Sequence, residues 1–238
     1  MNSPNPRIGP LLRGVTWVEV LILAWAGPGL LLWPPIVQPV WPWALTPFNT
    51  RFLGALYAAA LVAAWLQARS GRWSPSRVVT AMIFAFTAVV TVFSFVHADR
   101  FDPRRVETWI WFGLYVGVCL NALAHLLRYR HWTAPRDDGR PAALERAALL
   151  LLTVPGGLYG LALMAAPEAA SAFWPWRLDR FHAQLYSVTF LTPAIGAALL
   201  WRGSTAADRR ALGLTVAGWG RCRPSPRGWP SGSAVATR

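Results

Sequence analysis

The chain of 238 residues is 55% apolar and only 14% charged, and its formal net charge at pH 7 is +13. Soluble globular domains carry about 25% charged residues, so this composition excludes an ordinary soluble domain. The positive charge comes from arginines between apolar runs, which fits the positive-inside rule of membrane proteins better than nucleic-acid binding. We therefore predict an all-α, polytopic transmembrane helical bundle whose partner is the lipid bilayer and not nucleic acid.

Six apolar runs follow a polar, cytoplasmic lead-in at residues 1–14. Each is about long enough, at 1.5 Å per residue, to cross a hydrocarbon core of about 30 Å. The first run lacks a signal-peptide cleavage pattern, so we expect it to remain as a span. The predicted spans are 15–33, 52–68, 78–96, 108–127, 147–166 and 183–201.

An internal repeat organises these spans. The segment 41–48, Trp-Pro-Trp-Ala-Leu-Thr-Pro-Phe, returns after 133 residues as 174–181, Trp-Pro-Trp-Arg-Leu-Asp-Arg-Phe. Because a unit of four spans returns the chain to its starting side, the second copy would have the same orientation as the first, as in a parallel duplication. We predict a first four-helix repeat at 15–127, a cytoplasmic connector at 128–146 and a second, incomplete repeat at 147–219.

The end of the second repeat departs from this plan. Span three should recur near residue 211, but only 211–219 is apolar, about half the length that crosses a bilayer. The tail at 220–238 is rich in Pro, Ser, Gly and Arg. Two explanations stay open: a shifted or truncated reading frame that leaves a broken seventh span, or a six-span protein with a disordered cytoplasmic tail.

The arginines predict the orientation. With a cytoplasmic amino terminus, the inner segments before residue 211 hold thirteen arginines and the outer ones hold six. This bias places the amino terminus in the cytoplasm and both Trp-Pro-Trp loops outside.

The tryptophans of the two loops, Trp41, Trp43, Trp174 and Trp176, are predicted to be interfacial anchors, because indole rings favour the lipid headgroup layer. The alternative is that they belong to an outward-facing site.

A second feature of the outer loops is a group of His and Asp residues. Imidazole and carboxylate are a workable metal-ligand set, but the spacing matches no metal motif and the neighbouring arginines compete for the carboxylates. Salt bridges in solvated loops and a substrate or metal site both stay open. The residues are His97, Asp99, Asp102, Asp179 and His182.

Three polar residues fall inside predicted spans, where polar groups are costly and often functional. Glu19 lies about one turn into span one. Its carboxylate either reaches water or an arginine such as Arg13, or it has a proton-coupling role in transport. Asn121 and His125 lie one turn apart on span four, where an interhelical hydrogen bond is expected.

Glycines and prolines mark other features of the spans. Gly/Pro helix breaks at 27–29 and 155–157 fall in the first span of each half. Paired breaks of this kind occur at the substrate sites of transporters, but Pro kinks are also common in spans that have no role in transport. Gly113 with Gly117, and Gly156 with Gly160, predict close helix packing. The sequence contains no catalytic or cofactor-binding motif, so we predict no catalytic residue and no cofactor.

The residues Trp41-Pro-Trp-x-Leu-Thr-Pro with Arg51-x-x-Gly54, His97-x-Asp99-x-Phe101 and Trp109-x-Trp111 resemble a group of uncharacterised multi-pass membrane proteins of high-GC actinobacteria. The resemblance covers about residues 20–130 and the second Trp-Pro-Trp loop. It implies a location in the bacterial plasma membrane and no particular activity.

Three classes of function remain, and each makes a structural prediction. A non-catalytic scaffold or interaction protein, the class favoured by the missing motifs, places Glu19, Asn121 and His125 at the membrane interface or in simple packing contacts. A small-solute or proton-coupled transporter, or permease, turns them to the bundle interior. A membrane-embedded enzyme brings the outer His and Asp residues together around one point. Protein partners and oligomeric state are not encoded in any recognisable pattern.

Overall fold

A computed structural model of the chain describes residues 5–133, 143–201 and 203–221, with the backbone alone over 219–221. Over these ranges the ordered structure is helical, apart from one isolated bridge between Arg7 and Arg72. Six helices are long and apolar enough to span a membrane, so the prediction of an all-α bundle with six helices of membrane-spanning length is confirmed. The helices are α1 (Pro10–Leu32), α2 (Pro47–Ser70), α3 (Trp73–Val96), α4 (Val106–Arg128), α5 (Ala143–Ala165), α6 (Arg180–Trp201) and the shorter α7 (Ala206–Arg221).

The helices begin before the apolar runs that predicted them. Pro10 and Pro47 open α1 and α2, since proline fits the first helical position, where its missing N–H costs nothing. Thr46 caps α2 through its side chain, and Asp179 caps α6 in the same way. A charged residue near each start, Arg13 in α1 and Arg51 in α2, interrupts the apolar run and hides these first turns from hydropathy.

The predicted helix breaks differ between the two halves. Helix α1 continues through Pro28, whereas α5 contains a π-helical turn, Leu152–Gly156, around Pro155. Proline lacks the N–H of the regular ladder, and a wider turn absorbs that loss.

Helix α1 lies against α2 at two glycines. A Cβ on Gly27 would lie 2.8 Å from the backbone N of Ala58, and one on Gly54 would lie 2.7 Å from the N of Leu31. In lipid, such close backbone approach is a main source of helix association. Gly113 and Gly117 of α4 face open space instead, so the predicted packing face on α4 is wrong.

Helices α3 and α7 pack across the two halves. Helix α3 packs on α6, and α7 packs on α2. Ala63 of α2 lies in a buried cluster with Val79 and Ala211. Gly196 of α6 correspondingly meets Leu212 of α7 and Met82 of α3. Each half therefore supplies a helix to the core of the other.

Backbone angles agree at a shift of 133 residues. Trp33 has φ −130° and ψ 56°, and Ala166 has φ −134° and ψ 61°. Trp41 has φ −77° and ψ 138°, and Trp174 has φ −74° and ψ 142°. In both stretches a short helical turn and a 3₁₀ turn precede the Trp-Pro-Trp segment.

The opposite end of the bundle, called here the amino-terminal end, contains a buried ion pair. Arg77 of α3 binds Asp208 of α7 at 2.7 Å, and both side chains are buried. Asp208 also accepts hydrogen bonds from Ser74 Oγ at 2.9 Å and from the backbone N of Thr205 at 3.0 Å. This pair ties the two halves together.

Some predictions fall on other parts of the chain. The start of the lead-in at 1–4, the centre of the connector at 134–142 and the tail from 222 onward, including its proposed frame shift or disorder, lie outside the described residues.

Candidate functional site

The two Trp-Pro-Trp loops meet in one layer, called here the Trp-Pro-Trp end. Trp41 and Trp43 are buried, with 5% and 6% of their surface exposed, whereas Trp174 and Trp176 are half-buried. The first pair therefore fills the bundle core and does not face the headgroups. Since Trp41 lies 5.6 Å from Trp111 of α4 and 5.7 Å from Tyr57 of α2, ring centroid to centroid, the indoles occupy space that shorter side chains would leave empty.

The loops are joined by reciprocal contacts. Trp43 Nε1 donates to His182 Nε2 at 3.2 Å, and Trp176 Nε1 donates to Asn49 Oδ1 at 3.0 Å. Trp176 and His182 lie 133 residues after Trp43 and Asn49, so each loop contacts the equivalent position of the other half. The rings follow the same rule: Trp43 lies 5.3 Å from Phe181, and Trp176 lies 5.5 Å from Phe48.

His182 is held from both sides. Because an indole N–H can only donate, His182 Nε2 accepts from Trp43, which places the ring proton on Nδ1. That atom donates to Asp179 Oδ1 at 2.7 Å. Asp179 also accepts from the backbone N of His182 at 2.8 Å, and its other oxygen lies 3.5 Å from Arg100.

These contacts shift the pKa of Asp179. Partial burial by itself raises the pKa of this carboxyl. The hydrogen bonds from the His182 side chain and backbone, together with the electrostatic effect of the His182 ring and the charge of Arg100, outweigh burial and lower the pKa from 3.8 to about 2. Asp179 is thus an ionised cap of α6.

The other outer residues have separate partners. His97 Nε2 lies 2.7 Å from Gln184 Oε1, and Asp102 Oδ1 accepts from the backbone N of Arg104 at 2.9 Å. Asp99 is exposed. Among the described residues no three His, Cys, Asp or Glu side chains converge on a metal position, so the structure does not favour an outer metal site.

His125 contacts its own helix, whereas the side-chain Oδ1 of Asn121 is buried without a hydrogen-bond partner among the described residues. His125 Nδ1 lies 2.8 Å from the backbone O of Asn121 in the same helix, and its Nε2 packs beside Gly9. The expected interhelical hydrogen bond is therefore replaced by an intrahelical one.

Glu19 is in a different environment. It lies nine residues after the first residue of α1, about 13 Å along the axis at 1.5 Å per residue, because the helix begins earlier than the apolar run. It is 8% exposed. Over the described ranges its carboxyl has no hydrogen bond or ion pair, and Arg13 is not a partner.

Glu19 lines a cavity of about 370 Å³ between α1, α2, α3 and α4. The wall is nearly all apolar and rich in aromatic rings. Its polar members besides Glu19 are two tyrosines, three threonines and a second acid, Glu107, which is paired with Arg105 at 3.4 Å. The lining is Glu19, Ile22, Leu23, Trp25, Ala26, Val40, Trp41, Pro42, Leu56, Tyr57, Ala60, Ala63, Ala64, Met82, Ile83, Phe86, Thr87, Glu107, Ile110, Trp111, Leu114, Tyr115, Val118, Thr192 and Thr215.

The cavity opens to the side of the bundle. Trp25 of α1 and Ile110 of α4 both line it and are 50% and 61% exposed. Glu19, Leu114 and Val118 also line a neighbouring groove between α1 and α4. A molecule in the bilayer can therefore reach the cavity between these two helices.

Two tyrosines in the cavity wall were missed from the sequence. The hydroxyls of Tyr57 and Tyr115 share a hydrogen bond of 2.7 Å that joins α2 to α4. The available signal was a phenol near the middle of each apolar run, where a hydroxyl needs a partner. Their pairing depends on the rotation of both helices.

A buried polar chain lies on the amino-terminal side of Glu19. Gln67 Nε2 donates to Thr16 Oγ1 at 2.9 Å, and Thr80 Oγ1 donates to Gln67 Oε1 at 3.3 Å. These groups satisfy one another and bind α1, α2 and α3 together, which leaves Glu19 as the unpaired acid of this region.

The chain matches no protein-family model, no curated protein and no solved structure. The features of the chain that indicate a function are therefore the cavity and the side chains that form it.

Proposed function

We propose that this protein binds a small, mostly apolar molecule inside the membrane, in the cavity between α1, α2, α3 and α4, and is of the transporter or permease type. The observation that carries the proposal is the buried, unpaired Glu19 carboxyl in an aromatic cavity of about 370 Å³. Binding sites for small molecules are typically apolar cavities of about 300–1,000 Å³ with a few placed polar groups.

Glu19 also separates this proposal from the scaffold alternative. A scaffold needs only satisfied packing contacts, such as those of His125 with Asn121 and Gly9. An acid that faces an apolar space without a partner lowers stability. Such a residue is expected where a ligand completes the site.

A binding measurement tests the proposal. The full chain in lipid nanodiscs is titrated with tritiated 4-phenylbutanol, a neutral probe that combines an apolar body with one hydroxyl, and empty nanodiscs are subtracted. Ala60 lines the cavity, so Ala60→Phe is expected to fill it and abolish saturable binding. Ala124 is an exposed alanine of α4, and Ala124→Phe is the matched control that leaves binding unchanged.

The outcomes separate the two classes. Saturable binding that Ala60→Phe removes and Ala124→Phe retains supports the proposal, provided that both variants elute as monodisperse protein. Binding that is absent, or equal in all three proteins, contradicts it and favours a scaffold.

The location and orientation complete the proposal. The excess of arginine in alternate segments supports a plasma-membrane protein with a cytoplasmic amino terminus. The Trp-Pro-Trp end would then face outward, and the ion pair of Arg77 with Asp208 would lie at the cytoplasmic side.

Internal duplication accounts for the reciprocal contacts. The equal backbone angles at positions 133 residues apart, and the paired bonds from Trp43 to His182 and from Trp176 to Asn49, support a parallel repeat. The position equivalent to Glu19 in the second half is Leu152, so the second half has no acid at this position.

A further inference from the structure

The acidic side chains of the described bundle divide into paired and unpaired groups. The other buried acid, Asp208, is neutralised by Arg77 at 2.7 Å. Glu107, the second acid of the cavity, has Arg105 as its partner. Glu19 is buried and has neither a cation nor a hydrogen-bond donor within the described residues. Among the described residues, Glu19 is therefore the acid of the cavity wall that has no protein partner.

An isolated carboxylate in apolar surroundings is unfavourable unless a cation pairs with it. A ligand with a positively charged N–H group would supply both the charge and the hydrogen bond, and charge-assisted bonds of this kind are about twice as strong as neutral ones. A neutral hydroxyl would donate a hydrogen bond to the carboxyl but would not balance its charge. The chemistry of Glu19 thus selects for a cationic group.

The remaining wall defines the rest of the ligand. Gly27 of α1 lies level with Tyr57 and Ala58 of α2, since a Cβ on Gly27 would lie 2.8 Å from Ala58 N. Glu19 lies eight residues earlier on α1, which is about 12 Å along the axis at 1.5 Å per residue. The cavity between Glu19 and the pair of Tyr57 with Tyr115 is lined by apolar side chains, among them Leu114 and Val118 of α4, which also border the groove beside Glu19. It fits an elongated apolar body.

We propose that the ligand is a lipophilic amine in its protonated form, with the ammonium group on Glu19 and the apolar or aromatic body extending toward Tyr57 and Tyr115. This inference rests on the proposed function, because it names the class of molecule that the same cavity takes. The lateral opening beside Trp25 and Ile110 gives such an amphiphile a route from the bilayer.

The test compares two probes of equal shape. Tritiated 4-phenylbutylamine, which is protonated at pH 7, and 4-phenylbutanol are titrated against the full chain in neutral-lipid nanodiscs. The amine is expected to bind about tenfold more tightly, because its ammonium group adds the attraction of opposite charges to the hydrogen bond that either probe can donate. Glu19→Gln is expected to remove this preference and to leave alcohol binding within about twofold.

Two further variants complete the design. Glu19→Asp keeps the charge and is expected to keep part of the preference for the amine. Glu168→Gln removes an exposed acid that lies 4.0 Å from Arg180, away from the cavity, and is expected to change neither probe. It controls for the loss of one negative charge from the protein.

Each outcome decides a separate point. Equal binding of amine and alcohol, or an amine preference that survives Glu19→Gln, overturns the inference while the proposed function stands. A preference lost in Glu107→Gln but not in Glu19→Gln also overturns the assignment to Glu19. Failure of both probes to bind removes the proposed function and the inference together.

Discussion

Trp43 Nε1 donates a hydrogen bond of 3.2 Å to Nε2 of His182, which lies 139 residues later in the other half of the chain. The indole is 6% exposed and the imidazole 5%, so this bond is inaccessible to water. Its counterpart, from Trp176 to Asn49, is partly exposed. Besides this layer of indoles, the long-range contacts that stabilise the bundle include the glycine contact of α1 with α2 and the ion pair of Arg77 with Asp208.

Loss of the Trp43 N–H should destabilise the protein. In Trp43→Phe the buried His182 Nε2 has no donor, a defect that costs about 1–3 kcal/mol, in addition to lost ring contacts. Trp176→Phe, the equivalent change at the partly exposed bond, is the matched control and should cost less. Thermal unfolding in detergent, followed by circular dichroism, measures both. A smaller effect for Trp43→Phe than for Trp176→Phe would contradict this assignment.

The buried ion pair predicts a large effect of a single charge removal. Asp208→Asn leaves the Arg77 guanidinium buried without its counter-charge, and breaking a buried pair in this way costs about 3–5 kcal/mol. Glu145 forms a more exposed pair with Arg209 at 3.1 Å, so Glu145→Gln should cost about 1 kcal/mol or less.

A double substitution distinguishes the contribution of the ion pair from the cost of leaving one charge buried without a partner. Arg77→Met with Asp208→Leu removes both charges and should recover much of the loss, since an apolar replacement of a buried pair is often neutral. Unfolding midpoints of the single and double variants are compared. A double variant less stable than Asp208→Asn would contradict the prediction.

Helix contact at Gly27 predicts opposite results for two Gly→Ala changes. In Gly27→Ala the new methyl group would lie 2.8 Å from Ala58 N, so α1 and α2 must separate and stability falls. In Gly113→Ala the methyl meets nothing within 4 Å, and a helical alanine should be neutral or stabilise by about 0.5–1 kcal/mol. The same unfolding assay applies, and equal effects of the two changes would show that this contact does not matter.

The lowered pKa of Asp179 predicts that the stability of the protein falls in acid. Its pKa is lowered from 3.8 to about 2 in the folded protein, so the ionised carboxylate stabilises the fold above about pH 4. This contribution is lost as the pH falls from about 4 to about 2. Asp179→Asn keeps a good helix cap but removes the charge, and should cost on the order of 1 kcal/mol at pH 7, because the carboxylate is partly exposed.

The measurement is the unfolding midpoint of both proteins as a function of pH. The difference between wild type and Asp179→Asn should shrink between about pH 4 and about pH 2. A difference that stays constant over this range would assign the effect of Asp179 to shape and not to charge.

Orientation predicts which residues are labelled from outside the cell. Phe173 is 87% exposed at the Trp-Pro-Trp end, and Leu144 is 83% exposed near the amino-terminal end. In a background with Cys119 and Cys222 changed to serine, Phe173→Cys should react with an impermeant maleimide on intact cells. Leu144→Cys should react only after permeabilisation. The reverse pattern would place the amino terminus outside.

Much of the helical plan was predictable from residue order. The six spans were found because each is a run of apolar residues that lipid forces into a helix with internal hydrogen bonds. Their starts were missed by two to five residues, as at Pro10, because a charged residue near the start of each helix, such as Arg13 in α1, interrupts the apolar run. The close contact at Gly27 was not predicted, because the segment 27–29 was interpreted as a helix break. Gly113 and Gly117 predicted a helix contact that does not form.

The site was predictable only in part. Glu19 stood out because an acid within a span is rare and costly. Helix rotation decides that Glu19 has no partner and that Tyr57 bonds to Tyr115. The paths of the loops decide that His97 and His182 have different partners.

The sequence by itself determined that this chain is a helical membrane protein with two Trp-Pro-Trp segments 133 residues apart, because hydropathy and repetition are properties of residue order. The tertiary structure decided that α3 packs on α6 and α7 on α2, that Trp43 is buried, and that Glu19 faces a cavity. The physical reason is that lipid is as apolar as the helix surfaces. Helix pairing in a membrane is therefore set by close backbone contacts and buried hydrogen bonds, which arise only when distant segments meet.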